Sequence, residues 1–198
     1  MMTDNGARLP VQPSLTGRKV YLRPTTADDI RINYEWWVLS DPQSLTCRPW
    51  VYRSAEENVE AFKSRTVRDS KQAFTVCRIE DGRPVGEVNF FDLNTLNRSA
   101  ELGVLINPDE QRKGHAYDAL TVLIDYLFRF RGLHKVYAQT GGFNSKTIAL
   151  LEKLGFRRDA VLRDHYYWNG SFHPGYIYSL LAAELTRSLD LEAGSPSE

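Results

Sequence analysis

One stretch of this 198-residue chain narrows the folds open to it more than any other. An apolar run, Ala-Glu-Leu-Gly-Val-Leu-Ile at 100–106, meets the turn Asn107-Pro108-Asp109 and then the loop Gln111-Arg112-Lys113-Gly114-His115-Ala116. Apolar residues follow at 116, 120, 123, 124, 127 and 128, with Gly132 beyond them. The run predicts a buried strand, and the i, i+3, i+4 spacing predicts a helix that Gly132 stops. A strand feeding a helix through a short loop delivers several unpaired backbone N–H groups to the positive end of the helix dipole, which makes an anion site. Gly114 and small Ala116 let a ligand approach the main chain, while Arg112, Lys113 and His115 add positive charge. A phosphate or pyrophosphate is the natural guest; a surface turn with solvated charges is the plainer alternative.

Gly103 lies inside the predicted strand, where glycine costs stability and often marks a bulge or a close approach by another backbone or a ligand. A bulge there would splay this strand from the next. A second strand and helix then follow, Lys-Val-Tyr-Ala-Gln-Thr at 135–140 and Asn-Ser-Lys-Thr-Ile-Ala-Leu-Leu-Glu-Lys-Leu-Gly-Phe at 144–156. Asn144 is the candidate N-cap of that helix, Ile148, Leu151 and Leu154 share its apolar face, and Gly155 ends it.

The order strand, Gln-x-x-Gly-x-Ala, long helix, strand, Asn-x-x-Thr, and helix ending Glu-Lys-Leu-Gly-Phe resembles the GNAT superfamily of acyl-CoA N-acyltransferases. Within it the chain is most similar to the branch of ribosomal-protein alanine and spermidine N-acetyltransferases, over roughly residues 15–185. The resemblance implies an α/β fold of the α+β type: a mixed, mostly antiparallel sheet splayed at its central strands, with helices on both faces. It implies a cytoplasmic enzyme that moves an acetyl group from acetyl-CoA to a primary amine by direct attack in a ternary complex. Dimers are common among such relatives, and the oligomeric state stays open, a homodimer being one possibility.

Length sets the bound of one domain, expected at 15–187 between a loose tail at 1–14 and an acidic tail at 188–198. The 25 basic and 25 acidic residues balance, which gives no support for a nucleic-acid coat or an electrostatic membrane anchor. No apolar run approaches the length of a membrane span, and the first 13 residues lack the basic-then-apolar pattern of a signal peptide. Cys47 and Cys77 have no metal-ligand spacing and read as two reduced thiols. No metal is expected.

Residues 19–23 alternate as a first strand closed by Pro24. Thr26-x-x-Asp29 predicts the cap of a helix to about Leu39, and Ser54-Ala-Glu-Glu57 predicts a capping box for a second helix to about Arg68. Strands at 74–79 and 85–91 flank Asp81-Gly82, and strands at 160–168 and 172–181 flank Asn169-Gly170, both hairpin signals. In the family resembled, the helix-loop-helix region walls the acceptor cleft. Trp36, Trp37 and Trp50 are candidates for that wall because aromatic rings hold cations over their faces; the alternative for Trp36 or Trp37 is packing of the helix onto the sheet. Tyr166, and with it Tyr167 and His173, are candidates from the last hairpin.

Chemistry assigns the remaining roles. A lysine-like amine is an ammonium at pH 7, and removing its proton costs about 4–5 kcal/mol, whereas an α-amine needs only about 1 kcal/mol. Glu101, a carboxylate in an otherwise apolar strand, is the candidate base, and the branch resembled places its base at the matching position. The alternative is a strand-end Glu paired with a cation such as Arg98. The departing thiolate needs a donor. Many relatives use a tyrosine at the position of Leu151, which is absent here; Thr147 matches a serine of the branch and is the candidate acid, with Asn144 holding the pantetheine arm. Backbone N–H groups near Val104, Leu105 and Ile106 would hold the thioester carbonyl, and Gln111 to Ala116 the diphosphate. Pro174 stands where relatives carry an acceptor-side Asp, so the acceptor stays open: a peptide N-terminus, a polyamine or an amino sugar. A CoA-binding module without turnover, or a different acyl donor, are the alternative functions.

Overall fold

Alternating apolar residues fold the chain into one seven-stranded sheet in the order β1-β2-β3-β4-β5-β7-β6. The computed structural model describes residues 15–40, 54–64 and 72–185. The strands are β1 (Val20–Pro24), β2 (Gln72–Arg78), β3 (Pro84–Asn94), β4 (Ser99–Ile106), β5 (Lys135–Gly141), β6 (Arg157–Trp168) and β7 (Ser171–Leu181). All neighbours run antiparallel except β4 and β5, which are parallel. The helices are α1 (Ala27–Leu39), α2 (Ala55–Lys63), α3 (His115–Asp125) and α4 (Ser145–Lys153), with a wider turn, Tyr126–Phe130, continuing α3. Trp50, Cys47, the loop around them, the end expected of the second helix and both expected tails lie outside the described residues.

Local chemistry explains the boundaries. Thr26 with Asp29 and Ser54 with Glu57 form reciprocal capping boxes at the starts of α1 and α2. Asn169 and Gly170 adopt φ of 48° and 83°, the left-handed pair that a tight two-residue hairpin requires.

The two faces of the sheet differ in chemistry. Val20, Leu22, Phe74, Val76, Val88, Phe90, Ala100, Leu102, Val136 and Ala138 bury one face against Ala119, Leu120, Leu123, Ile124 and Leu127 of α3 and Leu151 of α4. On the other face lies α1, and its buried residues Asp29, Asn33 and Trp36, spaced i, i+4, i+7, are largely polar. Side chains of Glu87, Asn89 and Glu101 alternate onto this second face, as does the bare position at Gly103. Helices therefore cover both faces, but only one interface is a hydrocarbon core.

The expected bulge at Gly103 is not what parts the central strands. The β3–β4 ladder runs without a shift from Gly86↔Ile106 to Phe91↔Glu101, and its one irregularity lies between Phe91 and Asn94. Glycine is required at 103 for another reason: a Cβ there would come within 2.6 Å of Asn89 Oδ1. The neighbouring side chain fills the space that a larger residue would need.

Candidate active site

The opening lies between β4 and β5. The two strands pair only at Ser99↔Lys135, Ala100↔Val136 and Glu101↔Tyr137. Beyond that point β4 stays on β3 down to Ile106, and β5 stays on β7 down to Gly141↔Gly175. Residues 102–106 and 138–141 thus face each other without a ladder. A slot of this kind accepts an extended, amide-bearing ligand as an added strand. Val104, Leu105 and Ile106 line its β4 side, with Val104 packed against the core and Ile106 buried.

The loop after β4 is built to present main-chain donors. Asn107 N–H bonds Val85 O at 2.9 Å, Asn107 Oδ1 accepts Asp109 N–H at 3.1 Å, and Gln111 Nε2 reaches Ile106 O at 3.5 Å. Arg112 and Gly114 adopt φ of 64° and 88°, a left-handed residue on either side of Lys113. The N-caps of α1, α2 and α4 use side chains of Thr26, Ser54 and Asn144, but Gly114 has none to offer α3. The first-turn N–H groups of α3, at His115, Ala116 and Tyr117, therefore keep no side-chain cap and suit an anion.

The charges around this loop are arranged differently from the sequence expectation. Glu110 takes Lys113 Nζ at 3.1 Å, His115 Nε2 at 3.2 Å and Arg78 Nη1 at 3.6 Å. Burial pushes the Glu110 carboxyl up, yet the Lys113 ammonium, the hydrogen bond from His115 and the Arg78 guanidinium outweigh burial and hold it below the usual carboxylate range. Lys113 and His115 are thus already answered within the protein. Lys19, which sequence reasoning did not single out, lies beside the loop instead: its Nζ donates to Lys113 O at 2.8 Å, and a Cβ on Gly114 would come within 3.2 Å of that Nζ. Asp118, one turn into α3, fixes the start of β1 by accepting the N–H groups of Arg18, Lys19 and Val20 at 3.1, 2.7 and 3.0 Å. Lys19 and Gly114 are 95 positions apart in sequence, so no local pattern signals their meeting.

Glu101 is half-buried at the last rung before the slot, opposite Tyr137. Burial pushes the Tyr137 phenol up, and the negative charges of Glu101 and Asp92 push it further, so the phenol keeps its proton at neutral pH. Across the slot, Asn144 is buried and its Oδ1 caps α4 by accepting Thr147 N–H at 3.2 Å. The same contact places Thr147 in the first turn of α4, following directly on β5.

Of the aromatic candidates, Trp36 is buried at 8 % exposure under α1, while Trp37 is half-buried beside Tyr34 with ring centroids 6.4 Å apart. Tyr166 belongs to a cluster centred on Phe143, which stacks on Trp168 at 4.6 Å and meets Tyr166 and His173 edge-on at 6.3 and 5.3 Å. Tyr167 and Phe172 pair on the exposed side of the same hairpin. A further group unannounced by sequence pattern sits on the α1 face: Asn33 Nδ2 and Asn89 Nδ2 each donate to one oxygen of Glu87, both at 2.8 Å.

A parted strand pair leading to an uncapped helix start is the geometry that a nucleotide thioester needs, and comparison with known families decides the matter. The acetyltransferase (GNAT) domain matches residues 19–157, more than half of the chain. The chain belongs to the GNAT acetyltransferases. It is 30% identical over 140 residues to the spermidine N(1)-acetyltransferase of Vibrio cholerae, covering 69% of this chain and 79% of that protein. Two solved structures from the same organism share the fold. A spermidine N-acetyltransferase in complex with CoA and spermine gives a TM-score of 0.77 at 24% identity, covering 84% of this chain and 98% of that one. A dodecameric form in an intermediate state gives 0.74 at 26% identity, covering 85% and 98%. As a GNAT member, this chain is an acetyl-CoA-dependent N-acetyltransferase.

Proposed function

We propose that this GNAT enzyme acetylates a primary amine of a small oligoamine, with Glu101 as the base and Thr147 as the acid. The observation that carries the reading is the position of Glu101 at the apex of the β4–β5 slot, where the two strands cease to pair. When bound there, acetyl-CoA supplies the activated acyl group. The chain's own parts then have distinct tasks. Main-chain N–H groups along 104–106 would accept the thioester carbonyl into the strand edge, polarising it. The first turn of α3 would hold the diphosphate, and the N–H groups of Arg112, Lys113, Gly114, His115 and Ala116 suit that anion, while that of Gln111 is taken by the Pro108 carbonyl.

Glu101 receives the proton that the ammonium must lose before its nitrogen can attack. Tyr137, kept protonated by burial and by the carboxylates near it, is a neutral donor beside that base. Thr147 would give its hydroxyl proton to the sulfur as the C–S bond breaks and take in its place the second proton that the acylated nitrogen sheds, with the Asn144 cap fixing the backbone of that turn. Support for a cationic acceptor comes from the second face of the sheet, where Glu87 and Glu101 supply negative charge, and from the spermidine enzymes to which the chain is similar. Among the described residues no helix is long and apolar enough to cross a membrane. The dodecameric relative supports self-association of this chain as well, for which light scattering of the purified protein is the check.

A thiol-release assay with acetyl-CoA and a panel of polyamines, α-amines and amino sugars tests the activity. Glu101→Gln should lower kcat by about 100-fold or more, with the loss concentrated at neutral pH, and Thr147→Val should lower kcat while leaving the Kd for CoA unchanged. Turnover confined to peptide N-termini would replace the oligoamine; turnover undiminished by Glu101→Gln would remove Glu101 as the base.

A further inference from the structure

Glu87 is a half-buried carboxylate for which the described residues provide two amide donors and no cation. Half-buried charges of this kind are ordinarily paired, because desolvation disfavours them otherwise. Arg23, which the register places two strands away on the same face, is spent elsewhere: its guanidinium holds Asp29 at 2.6 and 2.8 Å.

The amides that hold Glu87 are themselves incomplete. Asn33 is 7 % exposed, and its Oδ1 is buried without a hydrogen-bond partner among the described residues; Asn89 Oδ1 is in the same condition. Each side chain gives one N–H to Glu87 and keeps a covered oxygen over. What a ligand can reach is the half-buried carboxylate that the two amides hold in place. An alkylammonium carries three N–H donors, no acceptor and the positive charge that this carboxylate lacks beside it.

Its position relative to Glu101 adds a length. Glu101 pairs with Phe91, and Glu87 lies four residues before Phe91 on the same face of β3. Strand rise and strand spacing place the two Cα atoms roughly 14 Å apart. Glu87 lies toward the end of β4 where the slot is open, since its own partner is Leu105.

We infer that Glu87, flanked by Asn33 and Asn89, is the subsite for a second ammonium of the acceptor, so that the enzyme prefers an aliphatic chain carrying one amine at Glu101 and another several methylenes away. The inference rests on the amine-acetylating reading above and goes beyond it by naming the residue that selects for a dication. Glu87 acts here in binding and takes no part in proton transfer.

The test is initial-rate kinetics at saturating acetyl-CoA with straight-chain α,ω-diamines of increasing length and with n-alkyl monoamines of matching length. The wild-type KM should fall along the diamine series until the span fits, with no such fall for monoamines. Glu87→Gln should raise the KM of the best diamine about tenfold, the loss of one charge-assisted contact, and leave monoamine KM within about twofold. This variant keeps its supports, because Asn33 can turn its amide over and present the oxygen now left unpaired. Glu87→Asp, which withdraws the carboxylate by one methylene, should move the preferred diamine to a longer member. Equal KM changes for mono- and diamines, or none with either variant, would overturn the subsite. A wild-type protein that acetylates no amine at all would instead overturn the enzymatic reading on which it stands.

Discussion

Lys19 shows how one side chain can order a binding loop without belonging to it. Its ammonium holds the Lys113 carbonyl at 2.8 Å, so the Gly114 N–H, trans to that carbonyl in the same peptide plane, points away from Lys19. Its charge also stands beside the loop while that of Lys113 is drawn to Glu110. Lys19→Met keeps the aliphatic stem over Gly114 and removes both effects, so it should raise the Kd for CoA about tenfold. Calorimetry with CoA checks this, and acetyl-pantetheine as a donor lacking the diphosphate should be used equally well by both proteins. At the same scale, sequence reading reached Glu101, Asn144 and Gly114 because each stands in a local pattern of strand, cap or turn. It missed Lys19, Glu87 and Asn33, whose partners are 94, 54 and 54 positions away. Their contacts come from the topology alone.

Strand β4 carries two constraints on its two edges. Toward β3 it is a regular ladder, and Gly103 is needed there to admit the side chain of Asn89. Gly103→Ala should therefore cost about 1–3 kcal/mol through steric overlap, and Asn89→Ala in the same protein should recover part of the loss. Urea unfolding of the two single variants and the double variant measures that coupling, and strictly additive losses would disprove it. The glycine was legible in the sequence as an exception to strand chemistry, but its cause was not: the choice among a bulge, a ligand and a side chain requires the register. Helix α1 was similarly half-legible. Its start is written in Thr26 and Asp29, whereas the polar character of its inner face hides which side meets the sheet, since Asp29 and Asn33 read as solvent-facing residues until their partners are known.

The whole molecule is held by an apolar core on one face of the sheet and a polar layer on the other, and the polar layer makes its stability depend on acid. Asp29 is 3 % exposed. Burial pushes its carboxyl up, but the paired N–H groups of Arg23 and the bonds from Thr26 outweigh burial and hold it well below the usual carboxylate range. A carboxyl depressed in the folded state contributes stability above its unfolded value, near pKa 3.9, and loses it as pH falls through the folded one. Unfolding free energy should thus be level with respect to this group above about pH 4 and decline below it. Asp29→Asn should cost about 3 kcal/mol at neutral pH by leaving Arg23 without its partner, and should flatten the acid decline. Denaturant titrations at stepped pH would show both effects.

Strands β1 to β4 and strands β5 to β7 are stitched together along only three rungs. Past the third, nothing in the backbone zips them, and an acyl donor lying in the gap would fasten one half to the other. The free enzyme should consequently breathe along this seam. Amide hydrogens of 102–106 and 138–141 should exchange faster in the bare protein and slow together when CoA is added, making the donor a temporary piece of the sheet it enters.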